Sequence, residues 1–301
     1  LEIEENHSPV QGDSLILTID RRLQAYSESL ITGLRGSIIV MDPKTAEIYS
    51  MLSFPDYSLD SFIGPIPKNV WKEIVNHKDK PFNNRAIQNT YPPGSPFKLL
   101  LGAIALGNNI IDTKWAVNCN GIYEFHDTQF KCWKEEGHGK VNISKAVKES
   151  CNIYFYQLIQ RMDIDIWYKY ANLFGFGSKT GIDLPQEKSG IAPNRKFMNR
   201  KYGKRGWTSG TLLNISIGQG DLLVTPLQMS RFAAILATKG KNIAPWLASR
   251  PNAQAKKISF KKILVSPRNR NIAQKLKKRF RKVSIAKTNQ EIVDKCNWIF
   301  L

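Results

Sequence analysis

Three groupings of side chains stand at spacings that support chemistry. In Tyr91-Pro92-Pro93-Gly94-Ser95-Pro96-Phe97-Lys98, a serine and a lysine lie three residues apart at the head of an apolar run. If Gly94 ends a loop and Ser95 opens a helix, Ser95 and Lys98 share one helical face, where ammonium and hydroxyl can exchange a proton. A serine hydroxyl is a weak nucleophile at neutral pH, and a lysine with a depressed pKa is one way to activate it. The helix N-terminus adds backbone N–H groups that can meet a developing oxyanion. Alone, the pair is better explained by a helix start with a solvated lysine. The second grouping is Glu149-Ser150-Cys151-Asn152-Ile153-Tyr154-Phe155-Tyr156, a hydroxyl and a carboxamide at the turn into a buried helix; an N-cap accounts for the same letters. The third is Cys119, Cys132 and Cys151 with His138, a Cys3His set suited to a structural zinc site, with His126 and Asp127 as alternative ligands. A disulfide or free buried cysteines remain open at this point, and Cys296 has no assigned role.

These residues need a scaffold. Apolar patterning predicts strands over 14–18, 36–41 and 48–53, an amphipathic helix over 21–31, and a hairpin turn at Asp42-Pro43-Lys44-Thr45. A buried helix over 95–106 carries Ser95, a loop-rich insertion over 107–138 holds most of the candidate ligands, and helices follow over 144–154, 164–174 and 227–238. A basic helix is expected over 266–283. Strands at both ends with helices between them make this an α+β chain with an antiparallel sheet flanked by helices.

With 301 residues, 42% of them hydrophobic and 23% charged, the chain can bury a sizeable core, and no apolar run reaches the length of a membrane span. A formal charge of +19, concentrated over 179–205 and 256–287, would attract any polyanion. No zinc-finger repeat, helix-turn-helix pattern or RNA-recognition signature accompanies it, so a basic solvated face near anionic lipid or wall polymer is preferred and nucleic acid is not expected as a partner.

Ser95-x-x-Lys98 followed by Ser150-x-Asn152 resembles the penicillin-binding protein transpeptidases, whose signatures are Ser-x-x-Lys, Ser-x-Asn/Asp and Lys-Thr/Ser-Gly. The segments from Gly33 to Ile48, Phe174-Gly175-Phe176-Gly177 with Thr180 to Pro185, and Ile217-Gly218-Gln219-Gly220 with Val224 to Gln228 are similar to the same family in the same order, most nearly its class B elongation type, the penicillin-binding protein 2 group. The resemblance implies a penicillin-binding transpeptidase fold, like that of serine β-lactamases, and a peptidoglycan D,D-transpeptidase inhibited covalently by β-lactams. It implies Ser95 as nucleophile, Lys98 as base, Ser150 as proton relay and Asn152 as holder of the acyl amide. It also implies residues 1–11 as the tail of a pedestal region and 12–301 as the transpeptidase domain, its C-terminal part incomplete. An anchor in the inner membrane with the catalytic domain in the periplasm is implied too. Stem peptides, β-lactams, a membrane-embedded elongation glycosyltransferase and shape-complex proteins are the implied partners. Some members of that group bind zinc in a region that Cys132-Trp133-Lys134-Glu135-Glu136-Gly137-His138-Gly139 resembles, so the resemblance favours zinc over a disulfide here.

The third signature is the exception. Lys179-Thr180-Gly181 has the right letters but sits in a segment that family members carry in addition to the catalytic triplet. The expected place reads Ser284-Ile285-Ala286-Lys287-Thr288-Asn289, assigning Lys287 and Thr288 to the terminal carboxylate but leaving Asn289 where a glycine belongs. Residues omitted around this strand are the preferred explanation. A catalytically impaired scaffold of the elongation complex, or a serine β-lactamase or antibiotic-sensor domain, are the alternative readings.

Overall fold

The computed structural model describes residues 14–248 and the backbone of two further strands, Ile263–Val265 and Val283–Ile285. Helix α1 (Arg21–Ile31) starts where Asp20 accepts hydrogen bonds from the Arg22 and Leu23 amides, and it lies against a ribbon of β1 (Gly36–Met41) and β2 (Ile48–Phe54). The two strands are antiparallel, and the Asp42 carboxylate ties the Lys44 and Thr45 amides in the turn between them, as the sequence led us to expect. The strand expected over 14–18 is a single bridge, Leu17 to Ala248. Its apolar residues do not alternate into a core: Leu15 and Ile16 are both exposed. Helix α2 (Lys68–Asn76) follows on the surface, with no buried residue.

The predicted helix over 95–106 is two pieces. Ser95–Phe97 form a 3-10 turn, and α3 (Lys98–Gly107) begins only at the lysine. Pro96 has no amide hydrogen to give and suits a first turn, and in a 3-10 turn residues i and i+3 eclipse. Gly94 enters this turn at φ +66°, a left-handed conformation that disfavours side chains.

The insertion is more ordered than its composition suggests. Strands β3 (Ala116–Cys119) and β6 (Gly139–Asn142) pair antiparallel, enclosing a hairpin of β4 (Ile122–Phe125) and β5 (Thr128–Lys131) whose tip is His126 and Asp127. The helix expected over 144–154 is also broken, into α4 (Ile143–Lys148) and α5 (Asn152–Ile159), because Ser150 takes φ +53° between them. Helix α6 (Ile164–Leu173) matches expectation; α7 (Arg195–Tyr202) and α8 (Thr211–Ser216) were not foreseen. Helix α9 (Pro226–Ala237) opens with a capping box between Thr225 and Gln228. Strands β7 (Ile263–Val265) and β8 (Val283–Ile285) pair in parallel, unlike the antiparallel pairing expected throughout. The basic helix expected over 266–283 lies outside the described residues but for its last position, Val283, which begins β8, and residues 1–11 lie outside them altogether.

The main core gathers around α3 and α5. Phe97, Leu100 and Leu101 are wholly buried among Tyr154, Phe155, Trp167, Phe176 and Phe232. Each such side chain contributes about 2 kcal/mol of burial, so α3 and α5 are fixed against one another, and with them Lys98 and the turn that precedes α5.

Candidate active site

The loop that carries Ser95 is held from behind by backbone. Tyr91 and Val224 exchange both amide–carbonyl bonds (2.8 and 2.9 Å), and the Gly94 amide donates to the Gly218 carbonyl at 2.8 Å. A Cβ on Gly218 would stand 2.1 Å from the Gly94 oxygen, so only glycine permits this approach. Beside the loop, a cavity of about 270 Å³ opens between Ile39 of β1, Tyr91, Pro93, Pro96 and Met229 of α9. Ser95 itself is exposed to solvent.

Lys98 is the opposite: its side chain is almost fully buried, 2% exposed. Its Nζ donates to the Ser150 carbonyl at 2.8 Å, to Ser150 Oγ at 2.9 Å and to Asn152 Oδ1 at 2.6 Å. Ser150 Oγ in turn donates to Ser95 Oγ at 2.9 Å. The sequence suggested a direct Ser95–Lys98 contact; among the described residues the connection runs through Ser150. The left-handed backbone at Ser150 costs about 1 kcal/mol, and it is what turns both the carbonyl and the hydroxyl of one residue onto the ammonium. Burial pushes Lys98 down from the usual lysine range to about 8, opposed by the neighbouring Cys132 and Cys151. At that value about a tenth of the amine is neutral at pH 7, whereas a solvated lysine would offer almost none. The face of Phe155 lies 5.7 Å from the ammonium and adds a weak cation–π contact.

Directly beneath the Ser150 turn, the Sγ atoms of Cys119, Cys132 and Cys151 and a ring nitrogen of His138 all lie within 4.8 Å of one another, and all four residues are buried. His138 Nδ1 is 3.4 Å from Cys119 Sγ and 3.5 Å from Cys132 Sγ. A tetrahedral zinc with ordinary Zn–S and Zn–N bonds sets an S···N edge of about 3.6 Å, so His138 stands from Cys119 and Cys132 at about the spacing such an ion needs. The Cys151 thiol hydrogen bond, more than any other influence, holds Cys132 well below the usual thiol range; the amides of Lys134, Asn152 and Ile153 assist, and burial opposes. The same contact pushes Cys151 up. The three cysteines form no disulfide with one another, and His126 and Asp127, at the exposed hairpin tip, are not among the converging donors.

Thr180 is 2% exposed, and its amide and hydroxyl both donate to the buried carboxylate of Glu187, at 2.7 and 2.6 Å. Its hydroxyl is therefore spent on structure, in keeping with the rejection of Lys179-Thr180-Gly181 as the third signature. Lys287 and Thr288 lie outside the described residues. Sequence reasoning missed two parts of the site. One is the Lys131 carbonyl, which accepts from Asn152 Nδ2 at 3.4 Å; the other is Trp133, whose Nε1 donates to the Glu149 carbonyl at 3.0 Å. A tryptophan beside a cysteine in a polar insertion was the available signal.

Residues 36–295 match the penicillin binding protein transpeptidase domain. The chain belongs to this family. Among curated proteins it is similar to the peptidoglycan D,D-transpeptidase MrdA of Acinetobacter baumannii, 37% identical over 239 residues, and to MrdA of Escherichia coli K12, 32% identical over 254. Those alignments cover 79% and 84% of this chain but only 35% and 40% of the relatives, so the chain spans well under half of their length. Among solved structures, the penicillin-binding protein PBP2 from Helicobacter pylori superposes with a TM-score of 0.76 at 34% identity, over 80% of this chain and 45% of that one. PBP2 of Pseudomonas aeruginosa in complex with WCK 5153 gives 0.75 at 32% identity, over 81% of this chain and 54% of that one. The α+β expectation is thereby met in its specific form: this is the penicillin-binding transpeptidase fold.

Proposed function

We propose that this chain carries the acyl-transfer site of a peptidoglycan D,D-transpeptidase and that β-lactams acylate the same serine. The observation that carries the reading is the chain of contacts from exposed Ser95 through Ser150 to a buried Lys98 whose pKa is brought near the working range. With Lys98 neutral, the Ser150 hydroxyl donates to it and the Ser95 hydroxyl donates to Ser150; Ser95 Oγ then bonds to the carbonyl carbon of the penultimate D-alanine as its proton passes along the relay. The C–N bond to the terminal D-alanine breaks, and the proton returns through Ser150 to the leaving amine. An amine of a second stem then displaces Ser95, forming the cross-link and regenerating the hydroxyl. Asn152, its Oδ1 occupied by Lys98, offers Nδ2 to the acyl amide, and Lys287 with Thr288 take the terminal carboxylate.

Cys119, Cys132, His138 and Cys151 are proposed to hold one structural zinc. When bound, the ion contributes stability and takes no part in the transfer. Cys151 is flanked by Ser150 and Asn152, so these four side chains fix the turn on which the relay depends. Metal analysis and thiol titration test this: about one zinc per chain, with thiols masked until chelation, supports it, and metal-free protein with freely titrating thiols or a disulfide refutes it.

The similarity to MrdA proteins supports an inner-membrane anchor and a periplasmic location for the whole protein, and the solved complex of H. pylori PBP2 with MreC supports shape-complex partners. No helix among the described residues is long and apolar enough to cross a membrane. Labelling with a fluorescent penicillin tests the activity: stable labelling of the wild type and none of Ser95→Ala is expected. Rapid turnover of the label would point to a β-lactamase, and no labelling to a scaffold, the reading that Asn289 in place of glycine favours.

A further inference from the structure

Trp133 is 63% exposed, among the most exposed large apolar side chains described, yet it is held at two points. Its indole N–H donates to the Glu149 carbonyl at 3.0 Å, one residue before Ser150, and its ring meets that of His138 edge to face, centroids 5.3 Å apart. Tryptophan is usually largely buried in folded proteins. A ring whose polar edge is satisfied and whose face is left in water is a preformed surface for a flat or apolar group, and little freedom is lost when such a group settles on it.

Position says which group. Asn152 Nδ2 leans at 3.4 Å on the carbonyl of Lys131, two residues before Trp133, while Asn152 Oδ1 is taken by Lys98. Asn152 thus sits beside the segment Lys131–Cys132–Trp133, and a ligand whose acyl amide lies on Asn152 has that segment for a neighbour. We propose that Trp133 is a specificity-determining residue of the acyl-transfer site, its exposed indole face receiving the apolar or aryl side chain carried by the acyl amide of the donor. This rests on the acyl-transfer reading above. Trp133 forms and breaks no bond; it selects among donors that are otherwise alike.

The test compares two penicillins that differ by one phenyl ring, the phenylacetamido and the acetamido derivative, by second-order acylation rate on wild type, Trp133→Phe, Trp133→Leu and Trp133→Ala. The ratio of the two rates is read within each variant, so any loss of folded protein cancels. Trp133→Ala and Trp133→Leu are expected to lower the preference for the phenyl compound about fivefold, and Trp133→Phe to keep most of it. If the variants slow both penicillins equally, Trp133 only anchors the turn at 149–151 and the proposal is overturned; an unchanged ratio at unchanged rates overturns it as well. A wild type that takes up neither penicillin instead refutes the acyl-transfer reading, and this inference with it.

Discussion

Ser150→Ala separates the relay from the rest of the site. The substitution removes one oxygen, the only described atom that joins Lys98 Nζ (2.9 Å) to Ser95 Oγ (2.9 Å), and leaves the ammonium its bonds to the Ser150 carbonyl and to Asn152 Oδ1. Loss of that oxygen's two hydrogen bonds in a half-buried setting costs about 2 kcal/mol of stability. Loss of a positioned general base costs about 10²- to 10⁴-fold in rate, which corresponds to roughly 3 to 5 kcal/mol on the acylation barrier. The two effects differ enough to be told apart. Second-order acylation by fluorescent penicillin, read beside a denaturant melt, should show a fall of at least about a hundredfold in rate with a stability loss of about 2 kcal/mol. Acylation within about threefold of wild type, well short of a relay's worth, would mean that Ser95 loses its proton by another route, and the relay would be wrong.

The remaining expectations concern the base, the loop and the third signature. Acylation of the wild type should rise about tenfold per pH unit below 8 and level off above it, since burial lowers Lys98 to about 8 and only its neutral form accepts the proton; a profile flat from pH 6 to 9 would remove Lys98 as base. Gly218→Ala should destabilise the nucleophile loop by about 1 to 3 kcal/mol and slow acylation, because the new Cβ meets the Gly94 oxygen at 2.1 Å; wild-type melting and labelling would contradict the close approach. Lys287→Ala should weaken acylation at least about tenfold through loss of a carboxylate partner, whereas Lys179→Ala should leave it unchanged; the reverse pattern would restore Lys179-Thr180-Gly181 as the third signature.

Which side chains gather at the site was more legible in the sequence than its local geometry. Ser95, Lys98, Ser150 and Asn152 do converge, because serine, lysine and asparagine at these spacings head two helices whose apolar faces bury each other. What periodicity could not convey is backbone detail at the helix starts. It merged the 3-10 turn Ser95–Phe97 into α3, and it ran one helix through Ser150, whose left-handed φ nothing in a non-glycine residue announces. The donor set of Cys119, Cys132, His138 and Cys151 was found from side-chain type alone, yet the strands that bring it together were read as loop. Four-residue strands with exposed, polar faces, such as Thr128–Lys131, carry little hydrophobic signal. Trp133 was read as part of a family segment and given no role, since its partner is a backbone carbonyl that no sequence displays.

The most direct test is to find where a penicillin bonds to this protein. After incubation with benzylpenicillin, intact mass spectrometry followed by peptide mapping should give one added penicillin per chain, carried by Ser95 and absent from Ser95→Ala. An adduct on any other residue, or none on correctly folded protein, would contradict the assignment of Ser95 as the acyl-transfer nucleophile.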